Sequence, residues 1–206
     1  MKHTGFFWLF AVSLLVACAP SSPATTPVPI TVQYTFATTS WLKNLYACAG
    51  NQTVRTELRA ADFQDINSTN LVIRLGQPEN LTTPAFQIGT DDLLVIANPN
   101  NPINKLTADQ VHNLFTGRTR TWKAINGTDA SVQVWIFPIG EDVQKIFKQT
   151  VLGGSPVTSQ ARLANSPDEM SQAISNDVNA VGILTRRWKT KSTSEVFIAA
   201  SNLPVL

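Results

Sequence analysis

Cysteine and histidine are scarce: the 206 residues hold two of each. His3 and Cys18 stand near the start, which leaves only Cys48 and His112 for the body of the chain. That excludes an internal disulfide once Cys18 is committed elsewhere, and it removes the ligands a transition-metal cluster would need. A Cys/His catalytic pair is also poorly served, because Cys48 and His112 fall on different predicted helices. Cys48, within Trp41–Cys48 at helical apolar spacing, reads as a buried, inert thiol. Charge is sparse as well, with 15% charged residues and a net charge of +2. No Lys/Arg run forms a stripe, which argues against a nucleic-acid partner. The densest basic cluster, Arg186, Arg187, Lys189 and Lys191, reads as solvated surface. The chain has no Gly-x-Ser-x-Gly, no His-Glu-x-x-His and no Walker loop. No enzyme, cofactor or metal site is expected. Glu141 and Asp142 would make a poor hydrolytic pair, since neighbouring carboxylates on one turn diverge. After the first segment no apolar run is long enough to span a bilayer, which takes roughly 20 residues.

The first segment is of a different kind. Lys2 and His3 precede an apolar run, Phe6 to Val16, too short for a comfortable span. A positive start followed by such a run reads as a secretory signal. It ends in Leu15-Val16-Ala17-Cys18, which resembles the bacterial lipobox, where small residues precede a cysteine whose thiol receives a diacylglycerol. Residues 1–17 are thus expected to be a signal peptide and Cys18 the lipidation site. Residues 18–29 are uncharged and rich in Pro, Ser and Thr, which reads as a semi-stiff disordered tether. A lipid anchor on the extracytoplasmic face of a bacterial cell membrane follows as the expected location.

Residues 30–206 are enough for one domain or two small lobes. Ile30–Phe36 alternates and is rich in β-branched residues, predicting a strand. Thr38-Thr39-Ser40 then offers N-caps for a helix begun by Trp41, or backbone N–H groups for a polar ligand. Further strands are predicted at 52–58, 70–75, 86–89 and 92–97. Asn98–Pro102 carries strong turn chemistry. Thr107 and Gln110 fit a capping box before a helix that Gly117 closes. A strand at 132–138, a helix at 142–151 and a helix from Pro167 to about Ser175 follow. Ala180–Leu184 and 195–200 complete the set. Strands alternating with helices imply an α/β fold with largely parallel sheets.

The segment Asp92-Leu93-Leu94-Val95-Ile96-Ala97-Asn98-Pro99-Asn100-Asn101-Pro102, then Leu106–Val111, Leu114-Phe115-Thr116-Gly117-Arg118 and Thr121-Trp122-Lys123, resembles the phosphate-type substrate-binding proteins of ABC transporters. Ala180-Val181-Gly182-Ile183-Leu184 resembles their late strand. The resemblance covers about Asp91 to Leu184 and is only an outline before Gly89. It implies a two-lobed periplasmic-binding-protein fold (type II) with hinge strands and a reduced first lobe. Lobe 1 would take residues 30–92 and 181–206, and lobe 2 residues 93–180. It also implies a monomer, a small-molecule solute in the interlobe cleft and an ABC permease as partner. Trp122 and Phe115 are expected in the core.

Ligands in such sheets sit at loops past strand carboxyl ends. The candidate ligand-binding residues are therefore Thr38, Thr39, Ser40, Arg74, Gly140, Glu141 and Asp142. They fall on three loops, Thr38–Ser40, the turn at Arg74–Glu79 and Ile139–Asp142; Gln77 and Glu79 belong to the second and could reach the cleft, and Asp65 or Glu79 could pair with Arg74. The third loop departs from the family. Its phosphate loop is Arg-x-x-Gly-Ser-Gly-Thr; aligned on Gly140 and Phe147, this chain puts Phe137 at the Arg, Glu141 at the Ser, Asp142 at the second Gly and Val143 at the Thr. Two carboxylates would repel phosphate by roughly 1 kcal/mol or more each at short range. A neutral or cationic solute fits better. The carboxylates equally suit the first turn of the following helix. An interaction or structural lipoprotein that keeps the fold without a ligand is the alternative.

Overall fold

The computed structural model describes residues 28–206 apart from 79 and 82. Residues 1–17, expected to be a signal peptide, therefore lie outside the described residues with Cys18 and Glu79, as does most of the expected tether at 18–29. Among the described residues no helix is long and apolar enough to cross a membrane.

Two sheets organise the chain. The smaller has β1 (Ile30–Tyr34) at its centre, with β2 (Val54–Leu58) and β3 (Leu71–Ile73) parallel on either side. A 3₁₀ turn at Phe36–Trp41 and helix α1 (Leu42–Ala49) make the crossover from β1 to β2. Gly50 ends that helix at φ +57. The α1 helix lies on the surface with no residue fully buried. Its inward stripe is narrow, Leu42, Leu45 and Ala49, at three- and four-residue spacing. Cys48 falls outside that stripe and is exposed, contrary to the expectation of a buried thiol.

The larger sheet runs β6-β5-β7-β4-β8. Its strands are β4 (Gly89–Ala97), β5 (Gln133–Ile136), β6 (Arg162–Leu163), β7 (Ala180–Thr185) and β8 (Ser194–Val205). β5 is parallel to β6 and β7, whereas β4 is antiparallel to both β7 and β8. The sheet is mixed rather than largely parallel. β4 enters it from the smaller sheet, so it runs against the strands that begin inside. Leu93 to Ala97 are fully buried, so the run is continuously apolar instead of alternating. β7 and most of β8 belong to this sheet, although the sequence reading grouped 181–206 with the first lobe.

Three helices cover the larger sheet. Thr107 and Gln110 form the expected capping box at α2 (Ala108–Phe115). α3 is Asp142–Thr150, and Ser166 caps α4 (Pro167–Asn176). Phe115 of α2 meets Phe147 of α3 with ring centroids 4.6 Å apart. Trp122 is buried, and its indole N–H donates to the Asn179 carbonyl at 3.0 Å. Both aromatic residues are core, as expected.

The last residues of β8 join the sheets. Val205 pairs with Gly89 and bridges Leu75, while Arg74 and Leu206 exchange backbone hydrogen bonds at 2.9 and 3.0 Å. β4 and β8 are thus the hinge strands. Arg186 pairs with Asp92 of β4 and with Glu195 of β8, and the Arg187 guanidinium lies 3.9 Å from the Trp41 ring centroid. The basic cluster is exposed, as expected, and it also ties the hinge. Gly89 is held close to Trp41: a Cβ there would fall 2.0 Å from Cη2 of the indole. A rigid ring cannot yield as a flexible chain does, so Gly89→Ala should destabilise the fold by about 1–3 kcal/mol and displace Trp41. Urea unfolding followed by tryptophan fluorescence checks this.

Candidate functional site

The predicted loops meet where the smaller sheet faces the start of α3. Thr35, the residue after β1, is fully buried and directs its hydroxyl across the gap. Thr35 Oγ1 donates to Asp142 Oδ2 at 2.7 Å. The Leu75 N–H, just past β3, donates to the same oxygen at 2.8 Å. The Val143 N–H in the first turn of α3 donates to Oδ1 at 2.8 Å. Asp142 is 1% exposed. Leaving the Thr35 hydroxyl or the Leu75 N–H buried without this carboxylate would cost roughly 1–3 kcal/mol each.

Burial pushes the Asp142 carboxyl above its ordinary value. The three hydrogen bonds and the nearby Arg74 charge pull the other way without cancelling it. Glu141 beside it is also buried, and its pKa is raised to about 7 by burial first and the Asp142 charge second. Its Oε2 is buried with no hydrogen-bond partner among the described residues.

More contacts close the gap between the sheets. Phe36 and Phe137 stack with centroids 4.6 Å apart at 48°. The Asp62 N–H donates to the Gly140 carbonyl at 3.2 Å, and Lys145 pairs with Asp62. Gly76, at φ +76, packs so tightly on α3 that a Cβ would lie 2.9 Å from Ile146 Cδ1.

The predicted residues divide. Arg74 and Asp142 interact, the Asp142 charge acts on Glu141, and the Gly140 carbonyl accepts from Asp62 in the 3₁₀ turn after β2 rather than from Thr38–Ser40. Thr38 is buried and donates back to the Thr35 and Ile73 carbonyls at 3.0 and 3.3 Å, so it braces its own loop. None of Thr38, Thr39 and Ser40 caps α1 with a side chain, because the 3₁₀ turn moves the N-cap to Trp41. Ser40 Oγ and Arg74 Nε are buried without partners among the described residues. Among the described residues Asp65 forms no ion pair; its backbone N–H donates to Gln33 Oε1 and its carboxylate accepts from the Asn67 N–H. Gln77 is exposed. Sequence reasoning missed Thr35, Leu75, Phe36, Asp62 and Lys145. A hydroxyl residue within the predicted strand Ile30–Phe36 was the one available signal for Thr35.

A cavity adjoins this junction at Arg74. It is about 490 Å³ and runs beside β3, lined by residues including Leu71, Arg74, Phe86 and Leu206. A second, about 290 Å³, lies at the hinge between Asp91, Asp92, Arg186 and Asn202. Neither is lined by Thr38, Thr39, Ser40, Gly140, Glu141 or Asp142.

The raised Glu141 value gives a pH signature. Between about pH 4.5 and 7 the folded protein holds a proton that the unfolded chain has released. Stability must therefore fall as pH rises through that window, by at most about 3 kcal/mol for this group. Thermal melts across the window should show that decline. Glu141→Gln should flatten it and leave the variant more stable than the parent above neutrality.

Comparison with known proteins agrees with this architecture. A protein assigned as a phosphate ABC transporter substrate-binding protein from Clostridium perfringens, solved with bound phosphate, superposes with a TM-score of 0.74 at 15% identity, covering 86% of this chain and 85% of that one. An ABC-type phosphate transport receptor from Vibrio cholerae gives 0.67 at 17% identity, over 85% of each chain. The CcmR regulatory domain from Synechocystis PCC6803, in complex with 2-PG, gives 0.62 at 14%, over 86% of each. Transport receptors and a regulatory domain thus share the fold, and at these identities the likeness concerns the fold. The family described as a PBP superfamily domain matches residues 77–202. Two sheets joined by β4 and β8, with the predicted loops meeting between them and a family match over more than half its length, place this chain in the PBP superfamily.

Proposed function

We propose that the chain is the extracytoplasmic recognition component of a solute-uptake or solute-sensing system. It is tethered to the membrane by lipid on Cys18, through residues 18–29, after removal of residues 1–17. It works as a monomer beside an ABC permease and carries out no catalysis. The structural likeness to phosphate transport receptors supports the class. The lipobox-like Leu15-Val16-Ala17-Cys18 supports the anchor.

One observation carries the solute reading. Ser40, Arg74 and Glu141, all expected at the cleft, each hold a buried polar atom without a partner among the described residues. Orphaned buried groups are costly, and a bound solute that pairs with them would offset that cost. Phosphate does not fit, because Glu141 and Asp142 stand where a phosphate loop offers small and hydroxyl residues. A neutral or cationic solute does. A cation would need Glu141 ionised, so its affinity should rise as pH passes through about 7.

A second reading has its own support. Asp142 and Phe137 fill the space between the sheets. That favours an interaction or structural lipoprotein that keeps the fold without a ligand.

Thermal melts separate the two. Millimolar inorganic phosphate should leave the melting point unchanged. A neutral or cationic solute at a hundred times its Kd should add about 2.7 kcal/mol of stability. Mass spectrometry of molecules that co-purify would name it. A broad screen without any shift supports the second reading. Fatty-acid labelling of the chain in cells should be lost in Cys18→Ser, together with membrane retention; persistent labelling would contradict the anchor.

A further inference from the structure

We infer that Asp142 is a built-in ligand: its carboxylate occupies an oxyanion cradle made by both sheets, holds them together without a solute, and keeps small inorganic anions out.

The donor set has the composition of an oxyanion site. It includes a side-chain hydroxyl from Thr35, a backbone N–H from Leu75 and the Val143 N–H at the start of α3. Arg74 adds positive charge nearby. Hydroxyl, free backbone N–H, helix N-terminus and guanidinium are the groups that hold phosphate, sulfate or carboxylate in proteins. Here an internal carboxylate takes all three hydrogen bonds, and it is almost wholly buried.

The cradle draws on both halves of the chain. Thr35 and Leu75 belong to the smaller sheet, whereas Asp142 and Val143 open the helix that packs on the larger one. A bound anion would join the same two bodies. Asp142 does this covalently attached, so no association entropy is lost when the contact forms. An external anion would meet an occupied position and a buried carboxylate of the same sign, with Glu141 beside it.

The inference uses the position of the proposed cleft but does not depend on a solute binding there. Its test reads anion affinity directly, so it can fail while solute recognition stands, and the reverse.

The full chain is compared with Asp142→Gly and Asp142→Asn by thermal melts and calorimetry against inorganic phosphate and sulfate. Asp142→Gly removes the internal anion and leaves Thr35, Leu75, Val143 and Arg74 in place. It should melt lower than the parent in anion-free buffer, and millimolar phosphate or sulfate should restore it. Its affinity for one of these anions should exceed that of the parent by about tenfold or more. Asp142→Asn fills the same volume and should gain nothing. If Asp142→Gly folds only when refolded with phosphate or sulfate, the inference is supported. It is overturned if the glycine variant folds and gains no affinity for either anion, or does not fold even in their presence. It is equally overturned if the parent already binds phosphate as tightly as the variant does.

Discussion

The carboxylate of Asp142 is the constraint on which the rest of the structure depends. It is nearly free of solvent contact, and it takes hydrogen bonds from Thr35 and Leu75 on one side of the molecule and Val143 on the other. A buried charge is tolerated only where donors surround it and an opposite charge is near. Both conditions are met here, by three donors and Arg74. The neighbouring contacts then follow. Phe137 packs on Phe36 beside it, with ring centroids 4.6 Å apart. Glu141 is left beside a like charge in a dry position, which is why its proton is held to about neutral pH.

This constraint changes what the superfamily fold does. β4 and β8 connect the two sheets, and with only two such strands relative motion is the ordinary expectation. Backbone and side-chain contacts oppose that motion here. Asp62 to Gly140 and Lys145, Phe36 to Phe137, and Asp142 to Thr35 and Leu75 all cross the gap. Opening must break them together. Any solute that binds where these contacts lie therefore competes with them, and its affinity is reduced by the cost of releasing them.

Much of the fold was legible in the sequence, because its signals are local. The Thr107 and Gln110 capping box, Ser166 before Pro167, and the apolar run of Leu93–Ala97 each fix an element through chemistry within a few residues. The third loop was legible as a departure from the loop that the resemblance implies, since Phe137, Glu141 and Asp142 stand at its Arg, Ser and second Gly positions. Its consequence was not legible. Whether Asp142 repels a ligand or replaces one depends on Thr35, more than a hundred residues earlier, and on a backbone N–H that has no residue signature. Cys48 and the Thr38–Ser40 loop were misjudged for a similar reason. Helical spacing does not reveal how wide a face is covered, and a 3₁₀ turn moved the cap by one residue beyond the hydroxyls. The mixed direction of the larger sheet followed from β4 arriving from elsewhere, which strand patterning alone does not encode.

The central claim is that the chain's own carboxylate keeps the two halves closed when no solute is present. The direct measurement is the distance between spin labels on native Cys48 of α1 and on Lys148→Cys of α3, in a Cys18→Ser background, by pulsed dipolar spectroscopy. The account predicts one narrow distance distribution that inorganic phosphate leaves unchanged. A broad or two-peaked distribution in solute-free protein, collapsing to the short distance on adding phosphate, would contradict it.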